Sequence, residues 1–138
     1  MFVGEYEHQL DGKNRIRIPA AFKNELGKDY VFHEGADNII EVFPKKTMDE
    51  QLDKYKVDIS DYNKLKALML LTASFTEAHE DNQGRVVLSD KLISFAQIDK
   101  DVVTIGLIDR LIILSKANRD KLKEQMSYKD AMDCLSGK

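Results

Sequence analysis

Two kinds of hydrophobic pattern divide this chain. Short stretches with a period of two, or continuous β-branched and aromatic runs, occupy 15–18, 30–32 and 39–43, and return at 85–88, 101–105 and 110–114. In "RIRIP", Ile16 and Ile18 fall on one face of a strand and Arg15 and Arg17 on the other. "YVF", "IIEVF", "RVVL", "DVVTI" and "RLIIL" predict further strands, because branched and aromatic side chains suit a pleated, half-buried surface. "PAAFKNELG" predicts a short helix that stops at Gly27.

Between these β-rich regions the spacing becomes helical. "KKTMDEQLDKYKV" (45–57) and "DYNKLKALMLLTASF" (61–75) predict helices, with Thr47 and Asp61 (or Ser60) as N-caps. Leu65, Leu68, Met69 and Thr72 share a helical face that Leu70 and Leu71 widen, and the tail places Leu122, Met126, Met132 and Leu135 on one side. Such stripes are expected to serve as core or subunit contacts.

The β-rich regions are copies of one another. With Asp11 set on Asp81 and Arg15 on Arg85, Ile16 meets Val86, Ile18 meets Leu88 and Phe22 meets Leu92. One inserted residue then places Gly35 on Gly106 and "IIEVFPK" over "RLIILSK". Identity is low, but the order of turn, strand, polar stretch, strand, Gly, strand and helix start is kept, as expected of a true internal repeat. The expected organisation is a first repeat at 5–47, a helical connector at 48–75, a second repeat at 76–119 and a C-terminal helix at 120–138.

Composition removes several function classes. A chain of 138 residues with 43% hydrophobic and 33% charged residues has ordinary globular composition and suits either a single domain or two small halves sharing one core. Acids interrupt the N-terminal stretch where a signal peptide needs an apolar core, "LKALMLLTASF" is too short to span a bilayer, and the single Cys134 excludes an internal disulfide. The expectation is a cytoplasmic protein with no membrane segment. His8, His33 and His79 are scattered, so neither a metal site nor a nucleophilic centre is expected. No Gly-rich phosphate loop or nucleophile elbow is written, and the chain is expected to be no enzyme, with no cofactor and no small-molecule substrate. The formal net charge of −3 gives no overall basic footprint for nucleic acid, so any DNA contact must come from local clustering or from many copies.

The doubled phrase "DGKNRIRIP" and "DNQGRVVLS" carries the remaining chemistry. One reading is structural: Asp11 and Asp81 accept backbone N–H groups inside a turn and pair with Arg15 and Arg85 across its mouth, with Asn14 and Gly84 at the left-handed position. A second reading is functional and rests on what the copies do not share. The first copy adds Lys13 and Arg17 to Arg15, where the second has Gln83 and Val87. Three cations within five residues suit phosphate contact and arginine readout of guanine edges.

These stretches resemble the MraZ family of bacterial proteins, which is built from two SpoVT/AbrB-type repeats. The likeness runs through "MFVGEYEHQLDGKNRIRIPAAFKNELG", "VFPKKTMDEQL", "ASFTEAHEDNQGRVVLSDKL" and "VVTIGLIDRLIILSKANRDKL", nearly the whole chain. It implies an α+β fold in which two pseudo-symmetric repeats form a swapped-hairpin, barrel-like core with flanking helices. It also implies a nucleoid-associated regulator of transcription, which binds short direct repeats of double-stranded DNA upstream of its own division and cell-wall operon as a ring-shaped homo-oligomer. The family's DNA-contacting arginine falls on Arg15, with Lys13 and Arg17 beside it by strand alternation. Three positions depart from the family's usual text: Asn14 stands for Gly, Glu80 for an apolar residue and Ser89 for Pro. Glu80 and Asp81 next to Arg85 weaken it as a DNA contact, so the contact is expected in the first copy. The competing expectation is a ring-forming protein-interaction scaffold without significant DNA binding.

Overall fold

The computed structural model describes residues 1–55 and 60–137. Its first half runs β1 (Glu5–Gln9), β2 (Arg15–Arg17), α1 (Ala20–Leu26), β3 (Tyr30–Glu34), β4 (Ile40–Pro44) and α2 (Lys45–Asp53). After α3 (Tyr62–Ala73) the same order returns as β5 (Phe75–Glu77), β6 (Arg85–Val87), α4 (Asp90–Phe95), β7 (Asp101–Leu107), β8 (Arg110–Ser115) and α5 (Lys116–Gln125), and α6 (Tyr128–Leu135) closes the chain.

Strand pairing interleaves the two halves. Six antiparallel strands form a sheet in the order β1-β7-β8-β4-β3-β5, and β2 pairs with β6 as a separate ribbon. The order is symmetric about the β8–β4 pair. The leading strand of each half, β1 or β5, pairs with β7 or β3 of the other, so neither half completes its sheet alone. The pairing thus exchanges the leading strands between the halves within one antiparallel sheet. The sheet is open, with β1 and the three-residue β5 as its edges.

The core lies where the halves meet. Aligned pairs are buried together: Ile16 with Val86, Ile18 with Leu88, and Phe22 with Leu92 are each 5% exposed or less. Tyr30, Phe32, Ile40, Val42, Val102, Leu111 and Ile113 belong to the same cluster. Each such side chain contributes roughly 1.5–3 kcal/mol by leaving water, and the contribution depends on both halves being present. Gly106 allows a close backbone approach: a Cβ there would sit 2.5 Å from the main chain of Phe2 and Val3.

Local boundaries differ from expectation at identifiable points. Asp61 caps α3 by accepting from Lys64 N, but Thr47 lies inside α2 rather than capping it. Pro44, which has no N–H and a φ of −53°, starts that helix directly from the strand. α2 ends at Asp53, and positions 56 and 57 of the expected helix lie outside the described residues. The tail divides, because Met126 is extended and Ser127 opens α6 with a capping box to Asp130. Leu122 therefore lies on α5, Met126 between the helices, and Met132 and Leu135 on α6, and all four remain exposed. On α3, Met69 and Leu70 are also exposed and no residue is buried, so its apolar face is no part of the core within one chain.

Candidate nucleic-acid interface

Each copy of the repeated phrase folds into the same clasp. Asp11 Oδ1 accepts from Lys13 N at 2.8 Å and Arg15 N at 2.9 Å, while Oδ2 accepts from Arg15 Nε at 2.7 Å. Asp81 does the same with Gln83 N, Arg85 N and Arg85 Nε, at 2.8, 2.9 and 2.7 Å. The turn needs a left-handed residue before the arginine: Asn14 has φ 57° and Gly84 φ 75°. Asparagine tolerates that region better than most side chains, so the first clasp forms with Asn14 as the second does with Gly84. The Arg15 backbone N–H, aided by that of Lys13 and by the guanidinium, holds the Asp11 carboxyl down at about 2. The Asp81 carboxyl is lowered for the same reasons, with the Arg85 N–H foremost.

The clasp does not consume the arginines. Arg15 and Arg85 each give Nε to their aspartate, and their terminal nitrogens take no protein acceptor among the described residues. Lys13 and Arg17 are exposed, and neither forms a side-chain ion pair among the described residues. The two turns feed β2 and β6, which pair in the register Arg15↔Val87, Ile16↔Val86 and Arg17↔Arg85. Directly opposed residues share a face. Ile16 and Val86 therefore anchor the ribbon to the core, while Arg15, Arg17, Arg85 and Val87 form its outer surface. Arg17 and Arg85 also line one cleft of about 380 Å³ with His8, Gln9 and Asp11.

Arg85 lies on the same face of the ribbon as Arg15 and Arg17. Glu80 is turned inward, its side chain only 8% exposed, accepting from Tyr30 Oη at 2.7 Å and pairing with Lys23. Burial and the Glu80 carboxylate push the Tyr30 phenol well above its ordinary range. Asp81 is held in its own clasp. The ribbon and its turns carry Lys13, Arg15, Arg17 and Arg85 against the two clasp carboxylates, a local excess of positive charge on an acidic chain. Ser89 caps α4 by accepting from Leu92 N at 3.2 Å.

Other titratable groups are engaged structurally. His8 Nε2 lies 2.7 Å from Thr104 Oγ1, and burial lowers its pKa. His33 stacks on Phe75 with ring centroids 4.2 Å apart and bonds Glu41, which also accepts from Arg110. Arg119, 4% exposed, fastens α5 to β1 through Glu5 and Glu7. No cluster of three or more His, Cys, Asp or Glu residues is arranged to hold a metal, and no helix is long and apolar enough to cross a membrane, among the described residues.

Fold and surface together define a class: an α+β protein of two interleaved repeats that presents a cationic two-stranded ribbon. Residues 1–68 and 69–133 each match the family model described as "MraZ protein, putative antitoxin-like". The chain is 37% identical to the transcriptional regulator MraZ of Clostridium acetobutylicum, over 84% of this chain and 82% of the relative. It is 36% identical to that of Clostridium tetani, covering 95% and 89%, and 32% identical to that of Moorella thermoacetica, covering 100% and 96%. The chain belongs to the MraZ family.

Proposed function

We propose that this protein is a sequence-specific DNA-binding regulator of transcription, which occupies short direct repeats upstream of its own division and cell-wall operon as a ring-shaped oligomer and so resides on the nucleoid. The observation that carries this reading is the outer face of the β2–β6 ribbon, where Arg15, Arg17 and Arg85 stand together beside Lys13. Strands lie about 4.8 Å apart, and a two-stranded ribbon fits the roughly 12 Å major groove of B-DNA. There the terminal nitrogens of Arg15 are free for guanine edges or phosphate, with Lys13 and Arg17 as phosphate partners. The names of the relatives support transcriptional regulation.

Assembly reconciles this role with a net charge of −3, because a ring repeats one small patch and linked patches gain by effective concentration. Exposed Met69 and Leu70 on α3, and Met132 and Leu135 on α6, supply apolar surface for such contacts. A head-to-tail ring relates neighbours by rotation, which suits direct repeats of matched spacing. The same apolar surface serves a scaffold that binds proteins and no DNA, so the DNA experiment decides between them.

The test is titration of labelled native upstream duplex and random duplex at two salt concentrations. The wild-type protein is expected to prefer the native duplex, with affinity falling steeply as salt rises. Arg15→Ala is expected to abolish that preference while leaving melting temperature and assembly size nearly unchanged, since the Asp11 carboxylate keeps both backbone N–H bonds. Absence of a salt-sensitive preference in the wild-type protein overturns the reading and leaves the scaffold.

A further inference from the structure

The ribbon's outer face has four corners, and three are arginine. The pseudo-two-fold places Arg15 on Arg85 and Arg17 on Val87, so the fourth corner alone breaks the symmetry of charge. Val87 is 58% exposed, directly opposite Arg15 and two residues along the strand from Arg85. A single exposed valine on a strand is ordinary. An aliphatic side chain set among three guanidinium groups, on the face that would enter a groove, has a more specific chemistry.

We propose that Val87 is a base-reading residue, whose methyl groups pack against the C5-methyl of a thymine beside the base edge addressed by Arg15. This rests on the DNA-binding reading above. The thymine methyl is the one apolar feature that the major-groove edge offers. Arginine corners address phosphates and guanine acceptors, and phosphate contacts carry no sequence information. Val87 therefore adds discrimination that the cations do not supply. It also orients the ribbon. Rotating the ribbon half a turn about its pseudo-two-fold would bring Arg17 onto the methyl and Val87 onto the acceptor or phosphate met by Arg17. A ribbon with one aliphatic corner thus reads its site in one direction, which matches a direct repeat and not a palindrome.

The experiment uses the full-length protein and two versions of the native upstream duplex, one natural and one with deoxyuridine for thymidine, which removes only the C5-methyl groups. Wild type, Val87→Ser and Arg15→Ala are titrated against both, with assembly size followed by light scattering. Wild type is expected to lose affinity roughly threefold to tenfold on the deoxyuridine duplex, as for loss of one or two methyl contacts. Val87→Ser is expected to lose a similar factor on the natural duplex and to be indifferent to the deoxyuridine exchange, a coupling that a merely structural valine would not show. If wild type binds the native duplex in an Arg15-dependent way, but both proteins respond equally to deoxyuridine, the valine contact is wrong and the DNA reading stands. A changed assembly size in Val87→Ser makes the residue a subunit contact and also overturns the proposal. If wild type does not distinguish native from random duplex, the DNA reading itself fails.

Discussion

Asp11 shows how one carboxylate can organise a turn and still leave its arginine available. One oxygen takes two backbone N–H groups and the other takes Arg15 Nε, so the geometry depends more on the main chain than on the ion pair. Because the folded carboxyl titrates near 2, below its ordinary value of 3.8, its stabilising effect is present above pH about 4 and is lost as pH falls toward 2. Asp11→Asn is therefore expected to lower the melting temperature at neutral pH, with the difference from wild type shrinking as pH approaches 2. Glu80 gives a second prediction at this scale. Removing its carboxylate strands the Tyr30 hydroxyl, on a residue 2% exposed. Glu80→Ala is expected to cost about 1–3 kcal/mol by thermal or urea unfolding, with Glu80→Gln recovering most of it through the retained acceptor. The partly exposed Lys23 adds little to that figure. The clasp was legible in the spacing of Asp and Arg around a turn residue. The inward turn of Glu80 was not, since its partners Tyr30 and Lys23 lie 50 and 57 residues away.

At the level of elements, alternation and capping chemistry carried most of the information. β2, β3, β4, β6, β7 and β8 follow the apolar periodicity, and Gly27 and Asp61 bound their helices as their chemistry requires. β1 and β5 were missed for a physical reason: "EYEHQ" and "FTE" are edge strands with little buried surface, so they write no hydrophobic alternation. Their strand state is a consequence of backbone pairing with β7 and β3. The tail helix divides because Ser127 and Asp130 satisfy each other's backbone donors locally, which outweighs a continuous apolar stripe that has nothing to cover it within the chain.

For the molecule as a whole, α3 turns apolar side chains outward and buries none. Met69 and Leu70 are 60% and 76% exposed, and such a pair is costly to leave in water unless another surface meets it. If ring assembly uses this face, Leu70→Asp is expected to reduce assembly size, by light scattering at several protein concentrations, while leaving the melting temperature of the dissociated chain within a degree or so of wild type. Unchanged assembly would place the subunit contacts elsewhere. The sequence by itself determined the repeat, the strand and helix types within it, and the paired clasps, because these depend on periodicity and on turn chemistry spanning a few residues. Only the tertiary structure decided how the halves interlock and which cations share a face. The register that sets Arg17 against Arg85 and Arg15 against Val87 joins residues about 70 apart, through backbone hydrogen bonds that are indifferent to side-chain identity. For that reason the second copy looked like scaffold in the sequence, and in the fold it forms half of the outer face of the ribbon.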